Sequence, residues 1–183
     1  HLEIQRALKL LEKYPDNIAN VIVGNETLLR ADLEEEELFA YIDFVAEFTN
    51  KPITCAETWD VWERITDHAK HVDFITIHIL PYWKKVPIDR FNDFIIEKYT
   101  LVEKLFPYTK INIGETGWPS HGYNNNNAVP SLKNQAVAIR GFINLASEKG
   151  WDYNIVEAFD QQWKGYDEGN VGQYWGIFTS DRE

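Results

Sequence analysis

The 183-residue chain carries 29 acidic against 18 basic side chains, a formal net charge of -11, with 44% apolar and 26% charged residues. That length suits one domain with a sizeable core, and the acidity speaks against nucleic-acid and anionic-membrane partners, both of which need clustered positive charge. The lone cysteine, Cys55, rules out a disulfide framework within the chain, and no stretch approaches the length of a membrane span.

In chain order, Ile4, Ala7, Leu8 and Leu11 share one face of a predicted helix over 2–14, which Pro15 ends. Residues 21–23 form a short apolar strand with Gly24, Asn25 and Glu26 at its tip. Asp32 and Glu35 have capping-box spacing for a helix over 33–48, with Leu38, Tyr41, Ile42, Val45 and Phe48 as its apolar face. Strand 53–56 ends at Glu57, and a helix over 59–69 follows. Strand 72–77 runs into His78 and then the aromatic loop of Pro81, Tyr82 and Trp83. A helix over 88–104 precedes strand 110–114, which Glu115 closes. After a polar loop, 117–130, comes an amphipathic helix over 131–148 with Leu132, Ala136, Ile139, Ile143 and Ala146 on one face, stopped at Gly150. Strand 151–158 contains Glu157, and the aromatic, glycine-rich tail shows no clear helix.

Alternating strands and helices are the signature of a parallel sheet covered by helices. The five strand tips carry Asn25 with Glu26, Glu57, His78, Glu115 and Glu157, and in a parallel arrangement all five point to one edge. In a barrel that edge gathers catalytic residues. Two carboxylates flanking a groove are the apparatus for cleaving a glycosidic bond, one protonated to donate to the leaving oxygen and the other ionised. Asn25 could hold a sugar hydroxyl or cap the loop. Glu57, His78 and Glu115 could gather around a metal, but the chain has no HExxH and no close His/Asp cluster, so neither a metal nor a cofactor is expected. The phosphate-cradling glycine loop and the GxSxG elbow are absent too. His68 and His71 read as surface or capping residues.

The stretches VIVGNE at 21–26, HILPYW at 78–83, INIGETGWPS at 111–120, VEAFDQQWK at 156–164 and GQYWGIF at 172–178 resemble glycoside hydrolase family 17. These are beta-1,3-glucanases and beta-1,3-glucanosyltransferases on a (β/α)8 barrel, and the bacterial and fungal branch is the nearer one. The resemblance implies that Glu26 is the general acid/base and Glu115 the nucleophile of a retaining mechanism, with carboxylates typically about 5–5.5 Å apart. It also implies substrate contacts from Asn25, Glu57, His78, Tyr82, Trp83, Trp118, Glu157, Trp163 and Lys164, with Trp118 stacking near the cleavage point and Glu57 able to orient or polarise its neighbours. The expected partner is beta-1,3-glucan or its oligosaccharides.

A complete barrel has eight strands and typically about 250 residues. The chain supplies five, corresponding to family strands four to eight, so the expectation is a single partial-barrel domain over 1–183. The missing strands would come from a preceding segment or from another copy, unless the exposed edges are managed in an unfamiliar way. Weak or no activity is expected from this piece alone. Hydrolase, transferase, and a non-catalytic glucan-binding or structural fragment all remain open, as do secretion, a periplasmic site and a place in a larger membrane-associated enzyme.

Overall fold

The computed structural model describes residues 2–182. Five strands, β1 (Val21–Asn25), β2 (Ile53–Thr58), β3 (Ile75–His78), β4 (Ile111–Thr116) and β5 (Asp152–Ile155), lie in chain order in one parallel sheet. Helix α1 (Leu2–Lys13) precedes β1, and α2 (Glu35–Ala46), α3 (Trp59–Arg64), α4 (Phe91–Leu105) and α5 (Leu132–Lys149) each connect two neighbouring strands. This is the βα repeat of a (β/α)8 barrel over its strands four to eight. Among the described residues no helix is long and apolar enough to cross a membrane.

The chain forms two compact units, one of residues up to Ile77 with Val102–Asn112, the other of His78–Leu101 with the residues from Ile113 on. In the first, Leu38, Phe39, Ile42 and Val45 of α2 are buried, as are Ile53 and Cys55 of β2 and Trp62 of α3. Each such aliphatic or aromatic side chain stabilises the fold by roughly 1.5–3 kcal/mol through removal from water. Trp62 donates its indole N–H to the Thr76 carbonyl at 2.8 Å and meets Phe106 edge-on at 5.8 Å. Burial pushes the Cys55 thiol up to about 12, which leaves it an inert core residue.

Three expectations change here. The capping pair of α2 lies two residues later than predicted: the Glu34 N–H donates to the Glu37 carboxylate at 3.1 Å, while Asp32 is taken by an ion pair with Arg30 at 2.9 Å. Phe48, predicted on the apolar face of that helix, lies beyond the end of α2 and is exposed. The single predicted helix over 59–69 breaks at Ile65 and continues as a 3-10 helix, Thr66–His71. That break leaves Ile65 buried and sets the His68 ring flat on Phe39, centroids 4.3 Å apart and 4° from parallel, so His68 is not a simple surface residue.

In the second unit, α4 buries Phe91, Ile95 and Tyr99, and Tyr99 stacks on Trp151 at 4.0 Å. Helix α5 starts at Ser131, whose hydroxyl accepts the Asn134 N–H, and stops at Gly150 in the left-handed conformation, φ 68°. Its buried stripe is Gln135, Ala138, Phe142 and Ala146, not the predicted one; Leu132 is 65% exposed. The alternative stripe wins because Phe142 meets Tyr153 of β5 edge-on at 4.9 Å and Gln135 donates to the Gly176 carbonyl at 3.0 Å. Strand β5 ends at Ile155, three residues earlier than predicted, and the tail adds two 3-10 turns, Gln162–Tyr166 and Gly172–Tyr174.

Candidate active site

Parallel order puts the carboxyl ends of all five strands on one sheet edge; Asn25, Glu57, His78 and Glu115 stand at strand ends, and Glu26 and Glu157 just beyond them. In the first unit, β1 and β2 pair Val21 with Ile53 and Ile22 with Thr54, and then slip, so that Asn25 stands opposite Ala56. The slip centres on Gly24, φ 83°, where a Cβ would come within 2.8 Å of the Leu38 side chain. Glu26 follows, its N–H donating to the Ala56 carbonyl at 2.8 Å. Its φ is 53°, a left-handed conformation that costs a non-glycine residue on the order of 1–3 kcal/mol and persists only where the surroundings impose it.

A compact turn over 26–32 supplies those surroundings. Arg30 donates its backbone N–H to the Glu26 carbonyl at 3.0 Å and its guanidinium to the Asn25 carbonyl at 2.8 Å, while the Asp32 N–H reaches the Thr27 carbonyl at 2.8 Å. Glu57, at the end of β2, is 0% exposed. Its carboxylate accepts the Leu28 N–H at 2.8 Å, the Leu29 N–H at 3.3 Å and the Thr27 hydroxyl at 3.3 Å. Burial raises its pKa above the ordinary glutamate value; these three donors oppose the rise, and the nearby Glu26 charge adds to it. Glu57 therefore presents no surface to a sugar.

In the second unit, Glu115 stands next to last in β4, and its carbonyl accepts the Ile79 N–H at 2.9 Å. The His78 imidazole Nδ1 is 3.7 Å from the Glu115 carboxylate, close enough for an electrostatic contact but long for a direct hydrogen bond. His78 is almost wholly buried and Glu115 partly exposed. Gly117 lets the Val156 carbonyl oxygen press against the backbone of the GETGWP motif, since a Cβ at Gly117 would collide with that oxygen.

The aromatic residues divide into a buried group and an exposed one. Trp118 is 0% exposed; it donates to the Val129 carbonyl at 3.1 Å and packs edge-on against Tyr82 and Phe91. Tyr82 is equally buried, donates to the Tyr123 carbonyl at 2.6 Å and meets Trp175 edge-on at 5.8 Å; burial pushes its phenol pKa up. Both rings are fully buried, Trp118, the expected stacking platform, among them. Trp83 is half-buried, lies against Trp175 at 5.8 Å and keeps exposed surface.

Beyond β5, Glu157 is bound through both carboxylate oxygens by Lys164, at 2.9 and 3.0 Å, and by the Gln161 side-chain amide. Trp163 is 59% exposed, with its indole N–H on Gln161 at 2.7 Å. The sequence reading did not single out Gln161, Thr27 or Trp175. Gln161 sits inside the VEAFDQQWK stretch, which was the available signal; nothing local marks Thr27, whose partner lies 30 residues away.

A parallel βα sheet with glutamates after or near the ends of its first and fourth strands and a partly exposed aromatic wall is the layout of a glycoside hydrolase built on a (β/α)8 barrel. Residues 2–176 match the BtgE/BtgC glycoside hydrolase domain, and the chain belongs to that family. It is 27% identical over 187 residues to a "Glucan 1,3-beta-glucosidase" of Saccharomyces cerevisiae, covering 89% of this chain and 59% of that protein. It is 29% identical over 173 residues to a "Probable beta-glucosidase btgE" of Aspergillus fumigatus, covering 90% of this chain and 30% of that protein. Among solved structures it superposes on an active-site mutant of a Rhizomucor miehei beta-1,3-glucanosyltransferase in complex with laminaritriose, TM-score 0.87 at 26% identity, over 98% of this chain and 68% of that one. The chain thus spans only part of the length of the relatives it matches.

Proposed function

We propose that the chain carries the catalytic pair of a retaining enzyme acting on beta-1,3-linked glucan, with Glu115 as nucleophile and Glu26 as general acid/base. The observation that carries this reading is the family match over residues 2–176, together with the placement of Glu26 after β1 and Glu115 near the end of β4. Glu115 attacks the anomeric carbon as Glu26 protonates the leaving oxygen, giving a glycosyl-enzyme ester. Glu26 then takes the proton of the incoming acceptor, whose oxygen displaces Glu115 with net retention. The acceptor is water in hydrolysis and a glucan hydroxyl in transfer.

Asn25, His78, Trp83, Glu157, Trp163 and Lys164 surround this chemistry in the proposal. Trp83 and Trp163 offer exposed ring surface to sugar faces, and His78 steadies the Glu115 charge. Tyr82, Trp118 and Glu57 act behind them. A transferase reading has one observation in its favour, the likeness to the Rhizomucor miehei enzyme. In this proposal a further segment of polypeptide or a second copy completes the barrel, unless the exposed edges are managed in another way.

Laminari-oligosaccharides supplied to the 183-residue chain, and to any longer form that completes the barrel, test the reading. Turnover should vanish in Glu115→Gln while binding persists, and products longer than the substrate at high oligosaccharide concentration would mark transfer. Undiminished turnover in Glu115→Gln would overturn the nucleophile assignment. Binding without turnover in every form would leave a glucan-binding module instead.

A further inference from the structure

We infer that Glu57 is a positioning residue for Glu26: its buried carboxylate clamps the 27–29 turn through which the Glu26 side chain is aimed. The inference rests on the reading of Glu26 as acid/base, but the geometry beneath it is independent of any activity. Regular pairing of β1 with β2 is interrupted at Gly24, and Glu26 leaves extended geometry with φ 53°. The Glu26 N–H still reaches Ala56 of β2, and bonds within the 26–32 turn close it, but the direction of residues 27–29 needs a further anchor.

Glu57 does so from the neighbouring strand. Three donors from three consecutive residues, the Thr27 hydroxyl and the Leu28 and Leu29 N–H groups, converge on its two oxygens. Successive backbone N–H groups turned toward one point form an anion-binding concavity. Here the anion is internal, and it sits on the strand that already holds the Glu26 N–H through Ala56. Leu28 is itself buried, so the turn is held by one apolar anchor and one charged one. Glu57 thus acts on the reaction through Glu26 without touching sugar.

Chemistry specifies what a substitution must break. Gln keeps the shape of Glu57 but replaces one acceptor oxygen with an N–H donor, which would face a backbone N–H. Asp keeps the charge but is one methylene shorter and cannot span both amides.

The test follows the Leu28 and Leu29 amides by NMR in the 183-residue chain. In the unmodified protein both amides should shift with pH at one shared midpoint, the same as that of the Glu57 side-chain carbonyl carbon. In Glu57→Gln that midpoint should disappear, and exchange of the two amide protons should accelerate by about tenfold or more while the amides of β2 keep their protection. In a form with turnover, Glu57→Gln should lower kcat by about tenfold with KM within about twofold, the pattern of a misaimed acid/base. Glu57→Asp should recover less than half of the loss. Separate midpoints for the two amides, or unchanged exchange in Glu57→Gln, would overturn the clamp; should that variant fail to fold, the titration of the unmodified chain still decides. The amide readouts need no turnover, so a failure of the glucan reading shows in the Glu115→Gln assay and leaves this result standing.

Discussion

The Nδ1 atom of His78 lies 3.7 Å from the Glu115 carboxylate, one residue at the end of β3 and the other near the end of β4. Their strands are neighbours in the sheet, so backbone pairing brings the two side chains within reach of each other. Under the proposed mechanism, replacing His78 by Ala should lower kcat by about tenfold or more and change KM less, because the loss would fall on the proposed nucleophile. Steady-state kinetics on laminari-oligosaccharides measure this; an equal effect on kcat and Tm alone would point to simple loss of packing.

The pH dependence of stability reports on Glu57. Burial gives its carboxyl a higher proton affinity in the folded chain than in the unfolded one. A group shifted this way favours folding in full below the ordinary glutamate pKa, and that contribution is lost as pH rises through the raised value. Urea-unfolding midpoints across this window should show the unmodified chain losing stability relative to Glu57→Gln. A difference that stays constant with pH would contradict the expectation.

Trp62 donates to the Thr76 carbonyl inside the core, so its loss has two parts. Trp62→Phe removes the donor and should cost about 1–3 kcal/mol for the stranded carbonyl. Trp62→Ala adds a cavity and should cost about 3–5 kcal/mol. Denaturant unfolding of the two variants separates the terms.

Gly117 tolerates no Cβ, because the Val156 carbonyl oxygen occupies the space. Gly117→Ala should destabilise by about 1–3 kcal/mol through forced displacement of backbone. Gly150→Ala, where nothing lies within 4 Å, should cost only about 1 kcal/mol for its left-handed backbone. Thermal unfolding distinguishes a large effect at one glycine from a small one at the other.

The sheet was legible in the sequence because β2 and β3 are short, β-branched apolar runs that end in a charged or imidazole side chain. Glu26 and Glu115 stood out for the same reason: each stands at a strand tip. What was not legible depends on distant partners. The α5 stripe was misread because two overlapping sets of apolar positions fit the helical period, and only Tyr153 and the Gly176 carbonyl choose between them. That Glu57 could orient its neighbours was legible from its place after a strand, but which neighbours was not, because its partners are backbone amides nearly 30 residues earlier. Trp118 looked like a platform because its motif ends in a loop, yet the loop folds over it and Val129 takes its N–H.

Chain order and spatial order coincide along the sheet, β1 through β5. Each new strand pairs with the one just made, and none has to be inserted between two that are already joined. A polypeptide emerging from its amino end can therefore add one strand-and-helix step at a time to a growing edge. Glu26 follows β1 and Glu115 stands in β4, three steps later, so the two glutamates become parts of one sheet only once those intervening steps are made.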